Sequence, residues 1–215
     1  MNFIFYYITF VLTYWIVSLI TFVLDILINY KRIINTPKTE LINNYKKVFP
    51  TVVFNLHVLS FLIFYLISPF LNMLNFQFSI LKMVFDIICS VFMIDFFLFL
   101  SHKFMHYKCM YIWSHKVHHE LKNPIGFGAF YNHWFDFIFA VLLPAIYPQI
   151  VLSSHYYTSL IWIILATSNV VFISHGGYAI SDMNHFYHHE KFNYNYGIGL
   201  YMDRLCGTLY FKNNH

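Results

Sequence analysis

Five stretches of this chain stay apolar for about as long as a bilayer is thick, and that restricts the fold before any single side chain is weighed. Residues 3–28, 51–71, 80–101, 135–152 and 156–174 lie at or near the ~17 to 25 positions that carry a helix across ~30 Å of hydrocarbon. Of the 215 residues, 59% are hydrophobic and 10% charged, too few polar groups to cover a soluble domain of this size. The expectation is an all-α integral membrane protein with about four to five transmembrane helices. Segments 135–152 and 156–174 are short and suit a hairpin that enters deeply, whether or not each helix crosses fully.

The first segment lacks a basic start and a small-residue cleavage site, so it reads as a retained anchor rather than a signal peptide. Residues 1–79 then form an N-terminal pair of anchor helices, and 80–215 a catalytic domain. Cys89, Cys109 and Cys206 are widely spaced, which argues against disulfides and a zinc–thiolate site. Basic residues cluster in loop 29–50 (Lys31, Arg32, Lys38, Lys46, Lys47), in 102–134 (Lys103, Lys108, Lys116, Lys122) and in the tail (Lys191, Arg204, Lys212). With five spans all three regions share one side, only Lys82 lies elsewhere, and the excess of positive charge makes that side cytoplasmic. The net charge of +4 needs no nucleic acid, because juxtamembrane lysines sit beside anionic lipid.

Of thirteen histidines, ten fall on the side assigned by Lys and Arg alone: His102, His106, His115, His118, His119, His133, His175, His185, His188 and His189. His57, reading as a hydrogen-bonded helix residue, His155, reading as interfacial, and His215 fall outside the set. His102 and His106 are four apart, at the end of the third span. HKVHHE at 115–120 and HFYHHE at 185–190 repeat one spacing, which gathers three imidazoles on one side of a helical turn. Pair and triads together offer eight nitrogens, enough for two metal ions, with His175 in SHGGY favoured over His133 to complete the shell. Imidazole suits iron, copper, nickel or zinc, and the lack of thiolate or carboxylate clusters argues against iron–sulfur, calcium and magnesium. Asp95, two turns before His102, is expected to accept the second ring N–H of a ligating histidine. Glu120 and Glu190 read as solvated acids rather than ligands.

From Asp95 to Tyr210 the motifs HKFMH, HKVHHE, the single His133, SHGGY, HFYHHE and FNYNYGIGLYMDRLCGT together resemble the fatty acid hydroxylase and sterol desaturase superfamily of histidine-rich membrane enzymes. HKVHHELKNPIGF looks like the 4-methylsterol monooxygenases, and FNYNYG like the sterol C-5 desaturases. HWFD keeps Asp136 without the usual proline after His133, and Met202 stands where the family has Trp. The resemblance implies two non-haem iron ions, with zinc as a substitute introduced on purification, held by His102, His106, His115, His118, His119, His185, His188 and His189. It also implies O2-dependent hydroxylation or desaturation of a membrane lipid in the endoplasmic reticulum, a sterol first and a fatty acyl or sphingolipid chain second. Electrons would come from a separate donor, cytochrome b5 or its NAD(P)H reductase.

Rival classes make different demands. A metal transporter or metal-binding membrane protein wants ligands near mid-membrane in several spans, whereas these histidines collect at one end. A haem carrier needs paired axial histidines within the bundle and leaves the adjacent His-His pairs unexplained.

Overall fold

The computed structural model describes residues 3–27, 37–71, 78–178 and 184–211. Lys31, Arg32, Lys212 and His215 lie outside the described residues, as do positions 28 and 72–77. Among the described residues the chain is helical with no strand. Five helices are long and apolar enough to cross a membrane: α1 (Phe3–Ile26), α2 (Lys38–Leu66), α3 (Ile80–Met105), α4 (Trp134–Val151) and α5 (Tyr156–His175). Two short helices follow, α6 (Asn184–Lys191) and α7 (Tyr201–Leu205).

One boundary departs from the apolar pattern. The second span was expected from residue 51, but α2 begins at Lys38, behind Pro37 at its N-cap. The polar stretch KTELINNYKKVF is helical because Leu41 and Val48 recur on the buried side with Val52, and Pro50 is carried inside the helix. The remaining bounds agree within a few residues. α4 has 18 residues and α5 has 20, so at ~1.5 Å per residue each is about as long as the hydrocarbon core is thick. His155 starts α5, its Nδ1 accepting from the Tyr157 amide at 3.2 Å.

The long helices sort their residues in the inverse of the soluble pattern. On α3 the outward residues are Leu81, Phe85, Ile88, Phe92 and Phe96, whereas Asp86, Ser90, Asp95 and His102 are buried. An apolar solvent accepts apolar side chains on any outer face, so the polar groups mark the inside. They meet partners there. Asp86 pairs with Lys82 at 2.7 Å, and Gln149 of α4 links Ser90 (2.6 Å) to Ser159 of α5 (3.4 Å). His57 of α2 accepts from Trp15 of α1 at 3.1 Å, as its reading as a hydrogen-bonded helix residue required.

Between α1, α2 and α5 lies the turn Gly126–Phe130, which closes the bundle beneath the histidines. Phe130 stacks on Tyr14 with centroids 4.3 Å apart, Tyr14 Oη donates to the Phe127 carbonyl at 2.6 Å, and Asn55 donates to the carbonyls of Phe130 and Asn132 at 2.9 Å each. Gly126 is required there: a Cβ would lie 2.6 Å from Thr21 Oγ1 and 2.8 Å from the Val171 carbonyl.

Candidate metal centre

The sequence delivers the histidines from four places. α3 ends with His102 in its last turns and His106 as its C-cap. The segment Tyr111–Glu120 is a widened turn followed by a tight one, and it carries His115, His118 and His119. α5 ends in a widened stretch, Asn169–His175. α6 carries His185, His188 and His189. Widened turns rotate the residues that follow them relative to a regular helix and recur at functional sites.

The rings form two groups. One ligand nitrogen each from His102, His106, His115, His119 and His188 lie within 4.8 Å of one another, and those of His118, His185 and His189 form a second group by the same measure. Each HxxHHE motif is therefore divided. The first sends His115 and His119 to the five-ring group and His118 to the other; the second sends His188 to the five-ring group and His185 and His189 to the other.

The hydrogen bonds identify which nitrogens are bare. Nδ1 of His102 faces the Tyr196 carbonyl at 2.8 Å, that of His188 the Tyr194 carbonyl at 2.7 Å, and that of His115 Asp136 Oδ2 at 2.8 Å. Nδ1 of His118 faces the Tyr131 carbonyl at 3.4 Å, and that of His175 the Val170 carbonyl at 3.0 Å. Carbonyls and carboxylates only accept, so these Nδ1 atoms carry the protons and each Nε2 keeps its lone pair. Yet Nε2 of His102 lies 3.1 Å from that of His115, and His106 and His119 Nε2 lie 3.0 and 3.2 Å from that of His188. In the second group the Nε2 separations are 3.0 to 3.2 Å. Between His102 and His115, whose Nδ1 atoms both face acceptors, two bare lone pairs meet and repel unless a cation lies among them, so the donor set fits metal.

Protonation does not supply that cation. Burial first, and the neighbouring rings second, hold His106, His115, His119, His185, His188 and His189 below the ordinary imidazole range. Burial pushes His118 down to about 3. All are neutral at ordinary pH, the state in which imidazole binds metal.

His175 joins the second group by a separate observation. Its ring lies 4.1 Å from that of His185 and 5.3 Å from that of His118, and its buried Nε2 has no hydrogen-bond partner. His133 stands apart from both groups. It caps α4, its Nδ1 accepting from the Phe135 amide at 3.4 Å, and its ring packs on Trp113 at 5.1 Å. Glu120 pairs with Lys47 at 2.8 Å and accepts from Tyr131 at 2.9 Å, and Glu190 pairs with Lys191 at 3.0 Å.

Asp95 does a different job from the one its spacing suggested. It makes no hydrogen bond to His102; it accepts the amides of Gly199 (2.5 Å), Leu200 (3.0 Å) and Met202 (3.0 Å). Asp203 accepts those of Tyr196 (2.9 Å) and Gly197 (2.7 Å). Together they clamp the loop YNYGIGLYMD, whose Tyr194 and Tyr196 carbonyls orient His188 and His102. The buried carboxylate that touches a ring is Asp136, on His115. Sequence reasoning noted Asp136 and the closing motif without giving either a partner. The spacing of HWFD was the available signal for the first; backbone carbonyls leave none.

A small cavity of about 50 Å³ opens against both groups, walled by His102, His115, His118, His175 and His185 and by apolar Leu98, Ala140 and Val141.

Comparison with known proteins agrees with this geometry. Residues 87–208 match the family model described as fatty acid hydroxylase. The chain is 33% identical over 172 residues to "Fatty acid hydroxylase domain-containing protein 2" of Macaca fascicularis, covering 74% of this chain and 50% of the relative. It is 31% identical over 132 residues to the C-4 methylsterol oxidase of Schizosaccharomyces pombe, covering 54% and 43%. It is 30% identical over 149 residues to human lathosterol oxidase, covering 65% and 49%. The chain thus spans about half the length, or less, of these curated relatives. No solved structure matches.

Proposed function

The chain belongs to the fatty acid hydroxylase family, and on that premise we propose that it is an O2-dependent, diiron membrane oxidoreductase that hydroxylates or desaturates a C–H bond of a lipid, a sterol before other lipids. The observation that carries this reading is the convergence of eight histidine nitrogens into two groups at one end of an apolar bundle. His102, His106, His115, His119 and His188 hold one ion; His118, His185 and His189, with His175, hold the other. His133 serves as a helix cap.

Iron bound there supplies reductive activation of dioxygen for attack on an unactivated C–H bond. The chain's own residues do the rest. Asp136 and the clamped carbonyls of Tyr194 and Tyr196 fix the rings before metal arrives, which confers affinity and geometry. Leu98, Ala140 and Val141 make the small chamber apolar on the bilayer side, so a hydrocarbon enters it and bulk water is excluded.

Relatives named for methylsterol and lathosterol oxidation favour a sterol. A relative named fatty acid hydroxylase, from Mycosarcoma maydis, supports the acyl chain as second reading. On this reading the metal centre faces the cytoplasm at the endoplasmic reticulum, the side that the positive-inside rule favours for the basic loops, and a separate donor such as cytochrome b5 or its NAD(P)H reductase brings electrons.

The test is turnover. Protein reconstituted with iron, NAD(P)H, reductase and cytochrome b5 is expected to add one oxygen atom to a sterol, or to remove two hydrogens, in an O2-dependent reaction followed by mass spectrometry. Absence of product from sterols and acyl lipids alike, with iron bound, would overturn the reading.

A further inference from the structure

The metal chamber has a neighbour that the reading above leaves unused. A groove of about 530 Å³ runs between α1, α3 and α5 and the loop after Tyr196. Its lining is almost wholly apolar, and Ile20, Val91 and Leu165 along it are 45%, 46% and 48% exposed, so it opens sideways toward the bilayer. A volume of this size suits one small hydrophobic molecule.

Groove and chamber are consecutive along the same helices. On α3, Ile87, Val91 and Ile94 line the groove, and Leu98 and His102, one and two turns further on the same face, line the chamber. On α5, Trp162, Leu165 and Asn169 line the groove, and Val170, Ser174 and His175 the chamber. One side chain is common to both walls: Ile198. It stands alone between Gly197 and Gly199 on the clamped loop. Gly197 cannot carry a side chain, because a Cβ there would collide with the Asp95 carboxylate and approach Asp203 Oδ2 to 3.1 Å. The clamp that orients the histidines thus also holds Ile198 at the boundary.

The groove's polar content is small and specific. Ser168 and Asn169 interrupt the apolar wall, and the Asn169 Oδ1 is buried with no hydrogen-bond partner. A lone acceptor in hydrocarbon calls for a single donor. A lipid with one hydroxyl on an otherwise apolar body meets that demand, whereas an acyl chain offers no donor.

We propose that this groove is the lateral entry for a sterol from the bilayer, that Asn169 receives its hydroxyl, and that Ile198 is the gate between groove and metal chamber. The proposal rests on the lipid-oxidising reading and names the path and class of its substrate. Asn169 and Ile198 act here as specificity-determining residues.

The experiment is photo-crosslinking of the iron-loaded full chain in phosphatidylcholine nanodiscs with a ring-diazirine sterol, mapped by mass spectrometry and accompanied by iron analysis of the same sample. Adducts are expected on segments 87–94 and 162–173 and, more weakly, on chamber segment 129–136. Ile198→Trp should remove the chamber adducts and leave the groove adducts. Asn169→Leu should lower groove labelling by the sterol about tenfold, the loss expected for ~1.4 kcal/mol of binding, without changing labelling by the analogue that lacks the hydroxyl. Wild-type adducts confined to the separate cleft of Trp15, Phe49 and Phe127 would overturn the groove. Groove labelling by a diazirine fatty acid but not by the sterol would overturn the substrate class. Unchanged chamber labelling in Ile198→Trp would overturn the gate. Groove adducts on a chain that binds no iron would support the inference while removing the diiron reading; iron without groove adducts would do the reverse.

Discussion

The two histidine groups differ in how firmly their rings are held before metal binds. In the five-ring group, His102, His115 and His188 each place Nδ1 within 2.8 Å of a carbonyl or carboxylate, and only the buried Nδ1 of His106 is without a partner there. In the other group, His118 and His175 reach their carbonyls at 3.4 and 3.0 Å, and the buried Nδ1 of His189 has no partner. The first group is built on the end of α3 and on a loop clamped by two aspartates; the second draws two of its rings from α6 alone. Orientation fixed in advance reduces the ordering required on binding, so the five-ring group should hold its metal more tightly.

Neighbouring residues give the sharpest way to break that comparison. His188 and His189 are adjacent on α6 yet serve different groups. Replacing either with Ala should reduce turnover by more than the roughly 100-fold that loss of a supporting partner costs. His188→Ala leaves four rings in its group, whereas His189→Ala leaves only His118, His185 and His175, so the second should lose more metal on elemental analysis. Equal losses would remove the distinction. Asp136→Asn is the next step down: it should lower activity or metal affinity by ~10- to 100-fold through His115. In a chelator titration the change should appear in the tighter of two release phases.

Acid probes the rings without mutation. In the metal-stripped protein His118 stays neutral in the fold down to about 3, whereas in the unfolded chain it gains a proton below ~6.5. The unfolded state therefore binds more protons between those values. Stability is complete above ~6.5 and declines as pH falls toward 3, which a Tm series reads directly. A Tm that rises on acidification would contradict buried neutral rings.

Asp95→Asn should reach the five-ring group only weakly, through the loop whose carbonyls orient His102 and His188. It removes acceptor capacity from three loop amides, a cost of ~1 to 3 kcal/mol in stability by denaturation. Glu120→Gln should do least, under ~1 kcal/mol with metal content unchanged, because its pair with Lys47 is solvated. Metal loss in Glu120→Gln would mean that the acid reaches the centre after all.

The bundle and the ring count could be read from the sequence because both are properties of side-chain identity and spacing. Long apolar runs give helices, and ten histidines at one end of them give a centre. Three features escaped. The start of α2 at Lys38 is amphipathic rather than apolar, so hydropathy alone stops at Pro50. The division of each HxxHHE between two groups depends on the widened turn before His115 and on how α6 approaches it, which spacing within one motif cannot supply. The partners of His102 and His188 are backbone carbonyls, at sequence separations of 94 and 6, and a carbonyl belongs to every residue alike. Asp95 was singled out correctly as a costly buried acid, but a carboxylate next to three free amides is satisfied there before it can reach a ring.

The central claim is that two ions divide between the two groups. Elemental analysis of wild-type protein and His189→Ala from iron-supplemented cells, with an ultraviolet–visible spectrum of each, tests it most directly. The expected result is about two non-haem irons per chain in the wild type and about one in the variant. One ion or none in the wild type, or a haem Soret band, would contradict it.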